Sequence, residues 1–344
     1  GYWDSTAGAG GQGAYVPADD IEDVACAELV AAARLLAAGL SRSPHALRHA
    51  YAVRFLVARE GAHAGEAVCT IHIDQKKVGL AIAADAIREE LQTIVDDDPT
   101  GSLSIMTSGL PGDELVAGRD HVTETYALPD GRELVYEQAE GFFSNPSHGA
   151  CVFTVAWLCD AIRKWVPPTG SGGRGSLLEL YCGNGNHTVA LAPLFDRVVG
   201  VEIHPRLVGA ANRNLERNAA ANAALAAAEG IGAGRVEVLA APSAKFCNRV
   251  LRTRGRSLAG RAGGGDQPFD TILVDPPRCG LDEKTLALVG SFSTVLYISC
   301  EPLGSLRRDM RTLGATHEVA EMAVIDHFPN SRHIECAVVL RRKP

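Results

Sequence analysis

From Ser176 onward short apolar runs alternate with helical patterns, and the first run ends in a glycine turn, SLLELYCGNGN. That feature constrains the fold more than any other. SLLELYC, RVVGVEI, DTILVDPP and STVLYISC are largely apolar at successive positions, which predicts strands covered on both faces, and RVEVLAA reads as a further strand. NHTVALAPLF, PRLVGAANRNLERNAAANA and EKTLALVG carry helical spacing between them, GSLRRDMRTL adds a helix, and EVAEMAVID and RHIECAVVLRR close as two strands. This alternation predicts an α/β fold, a doubly wound sheet with helices on both faces.

The chain before this region reads differently. Residues 1–18 are Gly-rich and polar and predict a flexible tail. Residues 19–139 predict a partial α+β domain. IEDVACAELVAAARLLAAGL and LAIAADAIREELQTIV have helical spacing, and AYAVRFLVARE, EAVCTIHID, GSLSIMTSG, ETYAL and RELVYEQ read as strands. The second domain is placed at residues 140–344. Its first helix, SNPSHGACVFTVAWLCDAIRKWV, is expected to start at Ser144 or Asn145 with Pro146 in the first turn. NRVLRTRGRSLAGRAGGGDQ is expected to be a surface loop.

A formal charge of −8 weighs against a broad, non-specific nucleic-acid binder, although a local basic patch remains compatible with it. Nine cysteines occur without a CxxC pair or metal-ligand spacing, so reduced thiols in an intracellular setting are expected, and no metal. Cytoplasm and organelle are not distinguished, and the start at Gly1 rather than Met leaves a removed targeting segment open. No run of 18 apolar residues occurs, so no membrane partner is expected.

In a doubly wound sheet, ligands sit beyond the carboxyl ends of the strands. Gly183 and Gly185 end the first strand, where glycine lets the backbone approach a ligand, although an ordinary tight turn has the same appearance. Glu202 ends the second, 19 residues after Gly183, where a carboxylate can accept both hydroxyls of a ribose. Thr188 stands where a third glycine would complete GxGxxG, which disfavours a pyrophosphate and favours S-adenosyl-L-methionine over NAD. Asp275 in VDPPR is either the cap of a turn or a carboxylate positioned by two stiffening prolines. Cys300 ends LYISC, where it is either a small core residue or a nucleophile. Glu335 lies inside an apolar strand, either on the rim against Arg332 or His333 or as a general base in a dry site.

Four blocks, LLELYCGNGN, ILVDPPRCGLD, VLYISCEP and HFPNSRHIECAVVL, resemble in order and spacing the signatures of the tRNA uracil-5-methyltransferase family. The resemblance covers about residues 140–344, and SPHALRHAYAVRF is similar to part of the family's central domain. It implies a Rossmann-like class I methyltransferase fold behind an N-terminal α+β domain that is read as truncated. It also implies methyl transfer from S-adenosylmethionine to carbon 5 of a uridine in RNA, most simply tRNA, with ribosomal RNA as the other branch. By this resemblance Cys300 is the nucleophile at carbon 6 and Glu335 the base that removes the carbon 5 proton. Asn145, Tyr181, Gly183, Asn186, Glu202 and Asp275 are cofactor contacts, and Arg278 faces the substrate.

The chain departs from the family pattern in three places. SNPS puts Asn145 where the family has Gln, His187 replaces an aromatic Phe, and the Arg- and aromatic-rich N-terminal strands are not seen. Arg249, Arg252, Arg254, Arg256 and Arg261 form one candidate phosphate-binding group, and Arg307, Arg308 and Arg311 a second. The same residues are equally consistent with a solvated loop and a solvated helix face. The competing expectation is a methyltransferase-like structural or assembly factor on a ribonucleoprotein. A small-molecule or protein methyltransferase on the same fold leaves the pairing of Cys300 with Glu335 unexplained.

Overall fold

The computed structural model describes residues 2–4, 14–16, 26–77, 79–110, 115–143, 147–170, 172–232, 234–253, 269–327 and 333–344. The chain packs as two compact units, Gly1–Thr125 with Glu137–Phe142, and Tyr126–Tyr136 with Phe143–Pro344.

In the first unit β1 (Tyr2–Asp4) pairs antiparallel with β2 (Ala14–Val16). Then follow α1 (Ala27–Leu40), α2 (Pro44–His49), β3 (Ala50–Val57), β4 (Ala67–Ile73), α3 (Leu80–Asp96), β5 (Leu103–Ser108) and β6 (Leu115–Ala117). The sheet order is β3-β4-β5-β6, and its core joins Leu36 of α1 and Ile87, Leu91 and Ile94 of α3 to Ile71 and Ile105. Helix α2 was not anticipated. Pro44 occupies its first turn, where a missing N–H costs nothing, and Ala46 is fully buried. β7 (His121–Ala127) and β8 (Glu133–Ala139) form a two-stranded sheet.

The second unit contains α4 (His148–Trp165), β9 (Ser176–Leu180), α5 (Asn186–Leu191), β10 (Arg197–Glu202), α6 (Pro205–Arg217), α7 (Ala219–Ala228), β11 (Arg235–Ala240) and α8 (Ser243–Thr253). It continues with β12 (Thr271–Val274), α9 (Glu283–Val289), β13 (Thr294–Ser299), α10 (Arg307–Leu313), β14 (His317–Ile325) and β15 (Glu335–Arg342). They build a seven-stranded sheet in the order β11-β10-β9-β12-β13-β15-β14. β9 to β13 are mutually parallel, whereas β15 runs antiparallel to both β13 and β14.

Successive residues of the central strands are buried and face two cores in turn. Leu178, Val199, Ile272, Val295, Tyr297 and Val338 face one core with Phe246 of α8, Leu288 of α9 and Leu313 of α10. Leu177, Val198, Leu273, Leu296, Ile298 and Val339 face a second core with Leu158 and Ile162 of α4. Covering both faces requires apolar residues at successive positions, which explains the runs in the sequence. Each such side chain contributes roughly 1.5–3 kcal/mol by leaving water.

Three expectations need correction. The helix expected from Pro205 to Ala223 breaks at Asn218, whose side chain donates to Val135 O and accepts from Val135 N at 2.8 Å each. That strand-like pairing holds it out of helical geometry. The loop expected from Asn248 starts inside α8 instead, because Phe246, Cys247 and Val250 recur at helical spacing and are buried. The described start of α4 is capped by Ser147, whose side chain accepts from Ala150 N. Ser144, Asn145 and Pro146 lie outside the described residues, as do the Gly-rich segment 5–13, residues 17–25, and Arg254, Arg256, Arg261 and Arg332.

Candidate active site

The carboxyl edge of the second unit's sheet collects the predicted groups. Parallel strands deliver Tyr181 and Gly183 after β9, Glu202 at the end of β10, Asp275 after β12 and Cys300 after β13. β15 runs the other way, so its first residue, Glu335, reaches the same edge. Ser299 pairs with Cys336, which sets Cys300 and Glu335 one step beyond that pair.

The turn after β9 is built for close approach. Tyr181 is the one non-glycine residue with positive φ among those described, at 63°, and Gly183 and Gly185 follow at 56° and 81°. A Cβ on Gly183 would meet nothing within 4 Å, whereas one on Gly185 would come within 3.2 Å of Ala211. Gly183 therefore opens onto free space, and Gly185 is needed for packing against α6. Glu202 is buried, and its carboxylate accepts from Gly183 N at 3.1 Å and His204 N at 2.8 Å. Two backbone donors leave carboxylate lone pairs available for a diol. The amide Nδ2 of Asn186 is buried without a hydrogen-bond partner among the described residues. A buried donor of that kind costs free energy until something accepts from it. Tyr181 turns its ring toward the apolar core, with Thr285 and Ser243 beside its hydroxyl, and burial pushes that phenol up. It therefore offers the crevice its backbone rather than its hydroxyl.

A second cluster lies around Glu335, which is 5% exposed. Burial pushes its carboxyl up to about 7, with the charge of Asp275 adding to the shift and His187 opposing it. Burial likewise lifts Asp275 to about 6, against the pull of His187. Burial alone would lower His187, but the carboxylate of Glu179, with Oε1 3.5 Å from Nδ1, leaves it above the ordinary value. Glu179 also accepts from Thr188. At this depth Glu335 is not a rim residue, so that expectation fails. Its neighbour is His327, with Nε2 at 3.3 Å. Neither Glu179, the carboxylate inside ELYCG, nor His327, which opens HFPNSRHIEC, carries a motif that marks it in the sequence.

Cys300 is half-buried. Burial raises its thiol, Asp275 and Glu335 push further the same way, and exposed Arg278 opposes them. The sulfur thus senses both carboxylates and the arginine. Cys300 also lines a largely apolar groove of about 560 Å³ with Leu303, Arg307, Met322, Ile334 and Val338. Of the second arginine group, Arg308 is committed to Asp309 at 2.7 Å and to Leu281 O at 3.1 Å, while Arg307 and Arg311 are exposed. Asp309 also accepts from Tyr297 Oη and Leu281 N, which fixes the loop carrying Arg278 against α10. Among the described residues no cluster of His, Cys, Asp and Glu could hold a metal ion.

This sheet order, with a glycine turn after the first strand and an acid at the end of the second, defines a Rossmann-like fold of the S-adenosylmethionine-dependent methyltransferase type. A solved structure with the same fold is the Pyrococcus abyssi tRNA (uracil-54, C5)-methyltransferase in complex with S-adenosyl-L-homocysteine. It matches with a TM-score of 0.53 at 17% identity over 89% of this chain and 66% of that one. A sequence model of the tRNA (Uracil-5-)-methyltransferase family matches residues 20–343, and the chain belongs to that family. Two relatives named tRNA/tmRNA (uracil-C(5))-methyltransferase illustrate the similarity. The protein of Aromatoleum aromaticum is 40% identical over 67% of this chain and 56% of its own length. That of Neisseria meningitidis serogroup A is 35% identical over 85% of this chain and 71% of its own.

Proposed function

We propose that this protein transfers a methyl group from S-adenosylmethionine to carbon 5 of a uridine in RNA, with tRNA as the substrate. The observation that carries the reading is the convergence of Cys300 and Glu335 on one sheet edge, beside a crevice suited to a nucleoside. Asn186 Nδ2, the open face of Gly183 and the free lone pairs of Glu202 fit the polar groups of such a donor. When bound, S-adenosylmethionine supplies an electrophilic methyl group.

Uracil carbon 5 is a poor nucleophile until something adds at carbon 6. The Cys300 thiolate forms that sulfur–carbon bond, which makes carbon 5 enolate-like. After carbon 5 has gained a methyl group, the Glu335 carboxylate removes its remaining proton, the double bond re-forms and the sulfur leaves as thiolate. Each turnover therefore returns Cys300 unchanged and leaves one proton on Glu335 for release. A carboxyl near 7 suits this task, since it holds a proton strongly enough to take it and weakly enough to lose it at neutral pH. Arg278 favours the thiolate against the two carboxylates. The uracil must leave its stack to reach this edge. Exposed Arg307 and Arg311 are suited to contact phosphates nearby.

The relatives' names support tRNA as the substrate class. The test is incubation of the full chain with an unmodified tRNA transcript and S-adenosylmethionine, followed by nucleoside mass spectrometry. 5-Methyluridine is expected. Binding of the transcript and donor without product would overturn the reading and favour an assembly role.

A further inference from the structure

The groups around Glu335 contain a residue that the chemistry above leaves unused. His327 is 2% exposed and sits immediately after β14, with Nε2 3.3 Å from Glu335 Oε2 and 3.5 Å from Thr154 Oγ1 of α4. The Thr154 hydroxyl donates to Ala150 O at 2.8 Å, so only its lone pairs face the imidazole. Nδ1 is buried with no partner among the described residues. Both neighbours of Nε2 are thus acceptors. A hydrogen on Nε2 has an acceptor within reach, the nearer being Glu335 Oε2, whereas a hydrogen on Nδ1 would leave a buried donor orphaned, the rarer and costlier fault.

We propose that His327 is a positioning residue for Glu335: as the neutral Nε2–H tautomer, anchored by Thr154, it donates to Oε2 and so aims the other carboxylate oxygen at the carbon 5 proton. The inference rests on the uridine methyltransferase reading and adds an orienting group to it. Burial holds His327 neutral, since burial and then His187 pull its pKa below the ordinary value against the opposing charge of Asp326. The other groups facing Glu335 are His187 from α5, Asp275 after β12 and Cys300 after β13. His187 acts at longer range, through the charge it shares with Glu179 and Asp275. His327 is the direct contact. A donor to the ionised form of Glu335 favours that form. It therefore keeps part of the Glu335 population ionised, and able to act as a base, to lower pH than burial alone would allow.

The first readout needs no turnover. Long-range proton–nitrogen NMR of the full chain at pH 7.5 should show His327 neutral with its hydrogen on Nε2, and an Nδ1–H tautomer or an imidazolium would overturn the proposal. The second compares His327→Leu with His327→Gln, whose amide can still donate. Misplacing a base by about 1 Å can cost about a hundredfold in rate. His327→Leu should therefore lose about a hundredfold in kcat, shift the acid limb of the kcat profile to higher pH and accumulate methylated RNA still bound to Cys300. His327→Gln should stay within about tenfold of wild type, and calorimetry should show both variants binding S-adenosylmethionine as wild type does. A His327→Leu protein with wild-type kcat and pH limb would refute the role. So would loss of donor binding in both variants, which would make the residue a structural filler. A wild-type chain that shows the Nε2–H tautomer yet makes no 5-methyluridine would instead refute the methyltransferase reading.

Discussion

Replacing Glu335 by glutamine preserves the shape of the side chain and removes its ability to ionise. The folded protein holds this carboxyl near 7, against an ordinary 4.5. The sign follows from linkage. A pKa raised by folding means the native state prefers the protonated form, so this contribution to stability is fully present below about pH 4.5 and is lost as pH rises through about 7. At about 1.4 kcal/mol per pH unit, the ionised carboxylate costs the fold about 3.5 kcal/mol above pH 8. With 5% exposure, solvent offers the charge little relief. The glutamine variant avoids this cost. Scanning fluorimetry at pH 5 and pH 8.5 should therefore show its melting temperature gaining on wild type at the higher pH. The gain should be several degrees, at roughly 2–4 °C per kcal/mol for a unit of this size. The same variant should lose roughly 10²–10⁴ in kcat, because the carbon 5 proton has no acceptor. A stability gap that is constant with pH, or that favours wild type as pH rises, would refute the claim that Glu335 is a desolvated base.

Three further outcomes follow from the site and its supports. Cys300→Ala should abolish turnover, with calorimetric S-adenosylmethionine affinity unchanged, because the sulfur acts on the pyrimidine and not on the donor. Glu202→Ala removes charge-assisted hydrogen bonds worth about 1.5–3 kcal/mol, so the donor Kd should rise roughly 10- to 150-fold by calorimetry. Asp309→Ala leaves the Tyr297 hydroxyl and Leu281 N–H without their acceptor, and urea unfolding should show a loss of about 2–4 kcal/mol.

The sheet was legible because burial on both faces writes itself into sequence as continuous apolar runs, as in SLLEL and TVLYIS. The site was legible for the same reason. Once strand ends are located, parallel topology places Glu202, Asp275 and Cys300 at one edge without further information. The family resemblance implied roles for Cys300 and Glu335 but gave no sign of His327. Its meaning depends on the antiparallel pairing of β15 with β14 and on Thr154 from α4, which lies 173 residues away. The break at Asn218 was hidden similarly, because it is made by hydrogen bonds to Val135 rather than by local propensity. Helix α8, in contrast, carried its signal in Phe246, Cys247 and Val250. The arginines and glycines that follow it obscured that apolar spacing.

The proposed chemistry stands or falls on covalent addition of Cys300 to the uracil before methylation. An RNA transcript carrying 5-fluorouridine tests this directly, because the fluorine at carbon 5 cannot be removed as a proton is and the adduct is frozen after methyl transfer. Incubation with the full chain and S-adenosylmethionine, followed by digestion and mass spectrometry, should yield a peptide in which Cys300 carries a methylated fluorouridine. Recovery of that peptide unmodified, from protein that still methylates ordinary uridine RNA, would contradict the claim.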